Sequence, residues 1–254
     1  MSHIEARLRD GGLSKSDVVN LKRRVFLKRG LSLSALTLLS GCDITDTGPV
    51  DGFLRMIGLI NNSVQGTLFR SHKLARTFPE SMAAKEFRFN AQYGVDQVPM
   101  INPATWRLEP AGMVSDKTPW TLAQLQGMPQ TSYVARHVCV EGWSMIGHWG
   151  GVPLRAFLEK VGADMRAKYV AFRCDDPINY TGSIDMASAL HPQTILCLTY
   201  AGQPIEPKFG APMRLKMTTK LGFKQPKFIT SIEVTNQYRG GYWEDLGYNW
   251  FGGL

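Results

Sequence analysis

The sequence predicts an α+β fold with mixed β-sheets and short helices. Short runs rich in β-branched and aromatic residues are numerous, helical segments are few and brief, and neither repeats nor alternating strands and long helices are present. The chain has 254 residues, of which 44% are hydrophobic and 20% charged. This composition excludes an intrinsically disordered chain and suffices for one substantial core or a small pair of domains.

The positive net charge is concentrated near the N-terminus. The formal charge is +8, of which residues 1–41 contribute +5 and the remaining residues only +3. A nucleic-acid-binding face would need clustered cations in the main domain, so the distribution of charge argues against a nucleic-acid partner.

The N-terminal segment has the pattern of an export signal. Arg23 and Arg24 are followed by three apolar residues, Val25–Leu27, and Lys28, which matches the twin-arginine signal. The apolar run Leu31–Leu39 that follows is far shorter than the about 20 residues needed to span a bilayer. We therefore expect residues 1–41 to be a signal peptide that directs the folded protein to the periplasm. The alternative is a basic helix of the folded protein.

A lipobox-like sequence ends this run, Leu39-Ser40-Gly41-Cys42, in which the cysteine would become the lipid-modified N-terminus. Asp43 in the next position resembles a signal for retention at the inner membrane. We expect Cys42 to anchor the mature protein to the inner membrane, since several acyl chains hold a protein stably where one does not. The alternative is an ordinary cleavage site with an incidental cysteine.

The main domain is expected at residues 71–254, after a lipidated N-terminus and linker at residues 42–70. Within the linker, Asp51–Phe69 has an apolar pattern typical of a helix or of an irregular segment that packs on the domain. One short helix is expected after a cap at Thr121, and another over Leu154–Val161. Extended or strand segments are expected at Phe87–Tyr93, Trp106–Val114, Tyr133–Val138, Tyr169–Cys174, Thr194–Tyr200, Met213–Met217 and Phe228–Val234.

Cys139 lies between the β-prone run Tyr133–Val138 and a Gly-Trp-Ser turn. A thiolate at such a junction is held rigidly, can face a cavity, and suits a transition metal or a nucleophilic role. The sequence has four cysteines, but no Cys-x-x-Cys pair, haem-attachment motif or zinc-ligand spacing. The alternative for Cys139 is a buried structural cysteine, since free cysteine is among the most buried residue types.

Segments around and after Cys139 resemble the sulfite oxidase family of molybdopterin enzymes. Arg136–Ser144 is similar to the segment that carries the family's molybdenum ligand. Further similar segments follow in the family's order: Lys168–Phe172, Leu190–Thr194, Gly210–Leu215, Gly222–Lys227 and Gly241–Glu244. The resemblance covers residues 71–254 and is closest to the bacterial catalytic subunits without haem, such as the periplasmic methionine-sulfoxide reductases. It implies the family's molybdopterin-binding fold in a single domain.

The resemblance also implies a binding site for the molybdenum–molybdopterin cofactor. Cys139 would be the protein's ligand to molybdenum, and Asn90 would approach the pterin. The phosphate would be bound by Arg214, Gln225 and Lys227, because a guanidinium and clustered donors suit a phosphate dianion. The alternative for these cations is a solvated basic edge.

Other candidates surround this set. His137 is expected beside the metal ligand, as a catalytic residue or a satisfied structural histidine. Asp175 and Asp176, which follow a strand, are expected at the substrate entrance or in a solvated turn. Cys174, where related reductases have Thr, is expected as a cofactor contact, a second active-site thiol or a buried filler. Phe209 replaces the Asn or His that is usual in the family. Lys224 is expected at the solvated rim.

The function implied is that of an exported, lipid-anchored oxidoreductase that performs a two-electron reaction, oxygen-atom transfer in particular, on a small substrate. The immunoglobulin-like and cytochrome b5 domains of some family members are not expected, which implies a monomer that exchanges electrons with a separate membrane-bound partner of the cytochrome b type. Two alternatives stay open. One is a metal-free thiol hydrolase with Cys139 as nucleophile and His137 or His191 as base. The other is a lipoprotein that binds a ligand without turnover.

Overall fold

Two β-sheets form the centre of the fold in residues 48–254, the residues that the computed structural model describes. The predicted twin-arginine segment and Cys42 lie outside these residues. Residues 58–254 form one compact unit. The α-helices of the described residues are α1 (Gly48–Leu68), α2 (Leu122–Gln126), α3 (Leu154–Lys160), α4 (Met186–Ala189) and α5 (Tyr242–Asp245).

The first sheet has four strands, β1 (Glu109–Gly112), β4 (Tyr169–Cys174), β5 (Thr181–Asp185) and β9 (Ile229–Thr235). Their spatial order is β1–β9–β4–β5. Strand β1 runs parallel to β9, whereas β4 is antiparallel to both β5 and β9. The sheet is therefore mixed, which confirms the predicted fold class.

The second sheet consists of β2 (Thr131–Val138), β3 (Ser144–Pro153), β6 (Thr194–Tyr200), β7 (Gln203–Pro204) and β8 (Arg214–Met217). All of its strand pairs are antiparallel. Strand β3 lies between β2 and β6, and β7 and β8 pair with different parts of β6. Strand β6 is buried along almost its whole length, as its continuous apolar and β-branched sequence indicates.

Strand β3 was not predicted from the sequence, which indicated only a Gly-Trp-Ser turn after Cys139 and a helix from Leu154. Gly147, Gly150 and Gly151 lower the strand propensity of this segment. In the structure they permit close strand contact: a Cβ at Gly151 would lie 2.0 Å from the carbonyl oxygen of Leu196 in β6. The glycines thus conceal the strand in the sequence and make its pairing possible.

Helix α2 confirms the predicted cap. The Thr121 hydroxyl accepts a hydrogen bond from the Gln124 amide at 3.2 Å, and the Gln124 side chain accepts one from the Thr121 amide at 2.8 Å. The segment expected between residues 51 and 69 is the helix α1. Among residues 48–254, no helix is both long and apolar enough to cross a bilayer. The domain divisions after residues 41 and 70 stay predictions.

Two clusters of buried apolar residues fill the domain. The larger combines residues of both sheets with α3, including Phe157, Phe172 and Leu196. The smaller is aromatic and centres on Phe87 and Trp149, whose ring centroids are 4.9 Å apart. The segment that begins at Phe87 was predicted to be extended, but it pairs with no sheet. The segment is instead held in place by the contacts of the Phe87 ring with the aromatic cluster.

Candidate active site

One cavity brings together residues from distant parts of the chain. Its wall combines the segment after Phe87, the residues after β2, the loop after β4, the β8–β9 connection and the C-terminal tail. Six of the predicted site residues line it: Asn90, His137, Cys139, Arg214, Gln225 and Lys227. Cys174 and Asp175 do not. The fold therefore brings together most of the site residues that were predicted from separate segments of the sequence.

Cys139 is the first residue after β2 and is only 5% exposed. Its amide donates to the Trp143 carbonyl oxygen at 2.9 Å, and Gly142, with a φ of 88°, closes the tight turn between them. The Asn90 side-chain amide donates to the sulfur at 3.1 Å. Burial raises the pKa of the Cys139 thiol. A metal cation would reverse that effect, because coordination deprotonates a thiol.

Arg214, at the start of β8, is 3% exposed and has no carboxylate within ion-pair distance among the described residues. One terminal guanidinium nitrogen donates to the Phe209 carbonyl oxygen at 3.0 Å, while Nε has no partner in this part of the chain. The guanidinium lies 5.2 Å from the centroid of the Phe87 ring and 5.7 Å from that of Trp149. Burial lowers its pKa to about 10. Such a charge requires an anion to offset its desolvation.

Lys227 adds a second cation to the same wall. The bridge between Arg214 and Lys227 places the two residues side by side on neighbouring chain segments. The ammonium donates to the Asn90 carbonyl oxygen at 2.7 Å, and burial, reinforced by the charge of Arg214, lowers its pKa to about 7. Next to it, Gln225 is 3% exposed, and its carbonyl oxygen Oε1 has no partner among the described residues. The wall thus presents two cations and an amide to a ligand.

A family model described as "Oxidoreductase molybdopterin binding domain" matches residues 95–243. The chain is 55% identical over 231 residues to a protein of Azospira oryzae described as "Putative protein-methionine-sulfoxide reductase subunit YedZ1", covering 91% of this chain and 87% of that protein. It belongs to the molybdopterin-binding oxidoreductases. The family inferred from the segment around Cys139 is confirmed.

More distant relatives of this oxidoreductase cover less of it. The protein-methionine-sulfoxide reductase catalytic subunit MsrP of Xanthomonas campestris is 37% identical over 135 residues, and the match covers 48% of this chain and 42% of that protein. The sulfane dehydrogenase SoxCD of Paracoccus pantotrophus matches in structure with a TM-score of 0.52 and 18% identity, covering 55% of this chain and 40% of that chain. At that identity the likeness supports the fold alone.

The cavity fits the molybdopterin cofactor that this family binds. The cofactor brings a phosphate dianion and a metal that takes a thiolate, and the cavity offers two under-compensated cations and one buried thiol. The unpartnered Nε of Arg214 and Oε1 of Gln225 are groups that a polar ligand would satisfy. The donor set therefore agrees with the cofactor on charge, on ligand type and on hydrogen bonding.

His137 lies beside Cys139 but is neutral in the fold. Its side chain is buried against the rings of Phe87 and Trp149, with centroids 5.1 and 6.0 Å away. Burial, followed by the charges of Lys216 and Arg214, holds the pKa of His137 well below its usual range. Its Nδ1 has no hydrogen-bond partner among the described residues. A neutral imidazole with a free nitrogen suits a hydrogen bond to a bound ligand better than a cationic role.

Asp175 and Cys174 do not line the cavity. Asp175 is exposed on an outer groove that Cys174 also lines, whereas the next residue, Asp176, lines the cavity. The Asp176 carboxylate accepts a hydrogen bond from the Tyr180 amide at 2.8 Å, which fixes the loop after β4. Of the two aspartates expected at the entrance, Asp176 therefore lines the cavity and Asp175 does not. Cys174 is a buried thiol in the main core, which agrees with the buried-filler alternative.

Lys224 is not at a solvated rim, which corrects the sequence-based expectation. Its side chain is 2% exposed and forms an ion pair with Glu244 of α5, whose side chain is 4% exposed. The pair connects the 3₁₀ turn Gly222–Lys224 to the C-terminal tail. The tail in turn places Trp243 and Tyr248 on the cavity wall, as the resemblance of its first residues to a closing segment indicates.

Lys216 was not predicted as a site residue from the sequence. It is fully buried in β8, donates to the carbonyl oxygens of Arg136 and Met217 at 3.3 Å, and lies 5.0 Å from the Trp149 ring centroid. Burial lowers its pKa to about 7. Its sequence signal is a second cation in the short strand β8, two residues after Arg214. It adds positive potential behind the cavity without lining it.

Proposed function

We propose that this oxidoreductase reduces methionine sulfoxide by oxygen-atom transfer. The observation that carries the proposal is the buried Cys139 thiol, hydrogen-bonded by Asn90, in a cavity whose Arg214 has no carboxylate partner among the described residues. The names of the Azospira and Xanthomonas relatives support sulfoxide as the substrate class. The overall reaction takes a sulfoxide, two electrons and two protons to a thioether and water.

The chain's own residues hold and orient the reaction. Cys139 would ligate molybdenum, and Asn90 donates a hydrogen bond to its sulfur. Arg214, Lys227 and Gln225 hold the phosphate. When bound, the cofactor would supply the two-electron redox chemistry. The protein thus contributes a ligand, a phosphate site and the exclusion of water.

Other residues of the cavity wall offer a proton source and an apolar surface for the thioether. Asp176 faces the cavity, and burial raises its pKa, so it retains a proton more readily than an exposed aspartate. We assign it the delivery of a proton to the oxygen that leaves as water. Phe223, Trp243 and Tyr248 present rings to the cavity, and aromatic edges make favourable contacts with a sulfur-containing side chain.

The predicted export signal and the relatives' names support a proposal for the electron supply and the location of the protein. We propose a monomer that receives electrons from a separate membrane-bound partner of the cytochrome b type, since the Xanthomonas relative is described as a catalytic subunit. Export through the Arg23-Arg24 signal and an acyl anchor on Cys42 would bring the protein to that partner at the inner membrane.

The decisive experiment uses protein matured by its own export pathway. Molybdenum content is measured, and methionine sulfoxide is reduced with a reduced viologen dye as electron donor. Cys139→Ser should abolish turnover and disturb the metal while the domain stays folded, because it removes one ligand and little volume. Cys174→Ser is the matched control and should keep both, since Cys174 lies outside the cavity.

The same samples separate the alternatives. Full turnover and an unchanged metal signal in Cys139→Ser would reject the ligand assignment. Ester or amide hydrolysis by metal-free protein would instead support the thiol hydrolase. Binding of methionine sulfoxide without molybdenum and without turnover would support a ligand-binding lipoprotein.

A further inference from the structure

Helix α1 is amphipathic, but its apolar face points to solvent. A helix at the surface of a domain normally turns its apolar face inward. Here Ile60, Val64 and Leu68, spaced so that they share one face, are 52%, 49% and 73% exposed. The helical period extends this apolar stripe (Phe53, Ile57, Ile60, Val64 and Leu68) towards the N-terminus of the helix. The stripe thus lies on the solvent side of the helix.

The polar face of the helix is the one that contacts the domain. The Asn62 side-chain oxygen accepts a hydrogen bond from the Phe251 amide at 3.0 Å, and the Gln65 side-chain oxygen accepts one from the Gly253 amide at 3.1 Å. On the helical wheel, at about 100° per residue, Asn62 lies nearly opposite Ile60 and Val64, and Gln65 lies about 140° from Ile60. Directional hydrogen bonds therefore fix the orientation of the helix, so that its apolar stripe cannot turn inward without breaking them.

We propose that the apolar stripe of α1 inserts into the surface of the lipid bilayer, beside the acyl anchor. The proposal rests on the lipidation of Cys42 that is part of the proposed function. Five residues separate Cys42 from Gly48, where α1 begins. An extended chain of that length spans about 20 Å at most. An anchored Cys42 therefore keeps α1 within reach of the headgroups.

The composition of the stripe favours lipid over a protein partner. It consists of aliphatic side chains with one phenylalanine, and no charged residue occurs from Met56 to Phe69. Protein interfaces derive most of their binding energy from Trp, Tyr and Arg, together with charges that select a partner. A bilayer needs only apolar area, which it accepts without directional contacts. Insertion would also hold the domain at a fixed orientation to the membrane.

Spin labels on the lipidated holoprotein test the proposal. Val64→Cys places a label on the stripe, and Gln126→Cys places the control label on α2, at an exposed position. The described native cysteines are buried. The protein is bound to vesicles of phosphatidylethanolamine and phosphatidylglycerol, and collisions with oxygen and with a water-soluble nickel complex are compared with those of the protein in detergent-free buffer.

Insertion predicts that the Val64 label loses contact with the nickel complex and gains collisions with oxygen on vesicles, while the Gln126 label does not change. Unchanged accessibility at Val64 would mean that the stripe stays in water, and loss of both collision rates would mean a protein contact, with a second copy or the leader. Either result overturns the proposal. Dye-linked sulfoxide reduction by the same labelled protein tests the proposed function separately, because the label lies outside the cavity.

Discussion

The chain buries two kinds of cation within one segment, between residues 214 and 227. The first kind is ion-paired. Lys224 contacts Glu244, and Lys220 lies 3.4 Å from a carboxylate oxygen of Asp185. These pairs tie the segment to α5 and to the end of β5. Because each charge is compensated by the fold, these cations need no ligand.

The second kind has no carboxylate partner among the described residues. Arg214 and Lys227 line the cavity, Lys216 lies behind them, and all three donate to backbone carbonyl oxygens. Carbonyl dipoles offset the desolvation of a charge only in part. We interpret the difference as a division of roles, in which paired cations stabilise the fold and unpaired cations are kept for an anionic cofactor.

The largest expected effect concerns the ion-paired cations. Glu244→Ala leaves Lys224 buried without a partner and should lower the free energy of unfolding by about 3–5 kcal/mol. Urea unfolding of the cofactor-free protein measures this. Glu233→Ala, in the more exposed pair with Arg239, is the control and should cost about 1 kcal/mol or less. Equal losses in the two variants would show that the buried pair is not structural.

Asp176→Asn tests whether this carboxylate is a proton source or the missing counter-ion of Lys227. We expect turnover per molybdenum to fall about 100-fold, the low end for general acid catalysis, with cofactor content unchanged. Asp175→Asn, on the exposed neighbour, should leave both unchanged. Loss of cofactor with normal turnover per molybdenum would instead make Asp176 part of the charge balance.

Arg214→Met removes the unpaired charge and keeps most of the side-chain volume. Cofactor affinity should fall by about one to two decades, because a charge-assisted hydrogen bond contributes about 1.5–3 kcal/mol. The cofactor-free protein should be no less stable, since replacing a buried charge by an apolar group is often neutral or stabilising. Pterin and molybdenum per folded protein, with Arg173→Met as the exposed control, measure the first effect. Normal occupancy would remove Arg214 from the phosphate site.

The pH dependence of stability provides the smallest effect. The pKa of Lys227 is lowered from 10.5 to about 7 in the fold, so the unfolded chain binds more protons between these values. The cofactor-free protein should therefore gain stability as pH rises through this window, by about 1.4 kcal/mol per pH unit for each such lysine. Lys227→Met should reduce that slope in urea unfolding, and Lys117→Met, at an exposed position, should not. An unchanged slope in Lys227→Met would mean that Lys227 stays charged without its ligand.

The placement of the predicted site residues shows how far local sequence reaches. Cys139, Arg214 and Lys227 each occur in a short segment that resembles one of the family, and this resemblance predicted a shared site. The structure places all three on one cavity. Strand β3 was missed, because its glycines hide a pairing that depends on contact with β6. The propensity of a segment depends on its own residues, whereas strand pairing depends on two segments that can be far apart in the sequence.

The sequence by itself determined the fold class, the family and the chemical types of the ligands, because thiol, guanidinium and ammonium groups are properties of single residues. Tertiary structure decided which groups those residues meet. Lys224 is paired because the C-terminal tail brings back a carboxylate 20 residues away, and Asp176 rather than Asp175 faces the cavity because its carboxylate accepts the Tyr180 amide. Burial and charge compensation depend on residues distant in sequence, so they exist only once the chain has folded.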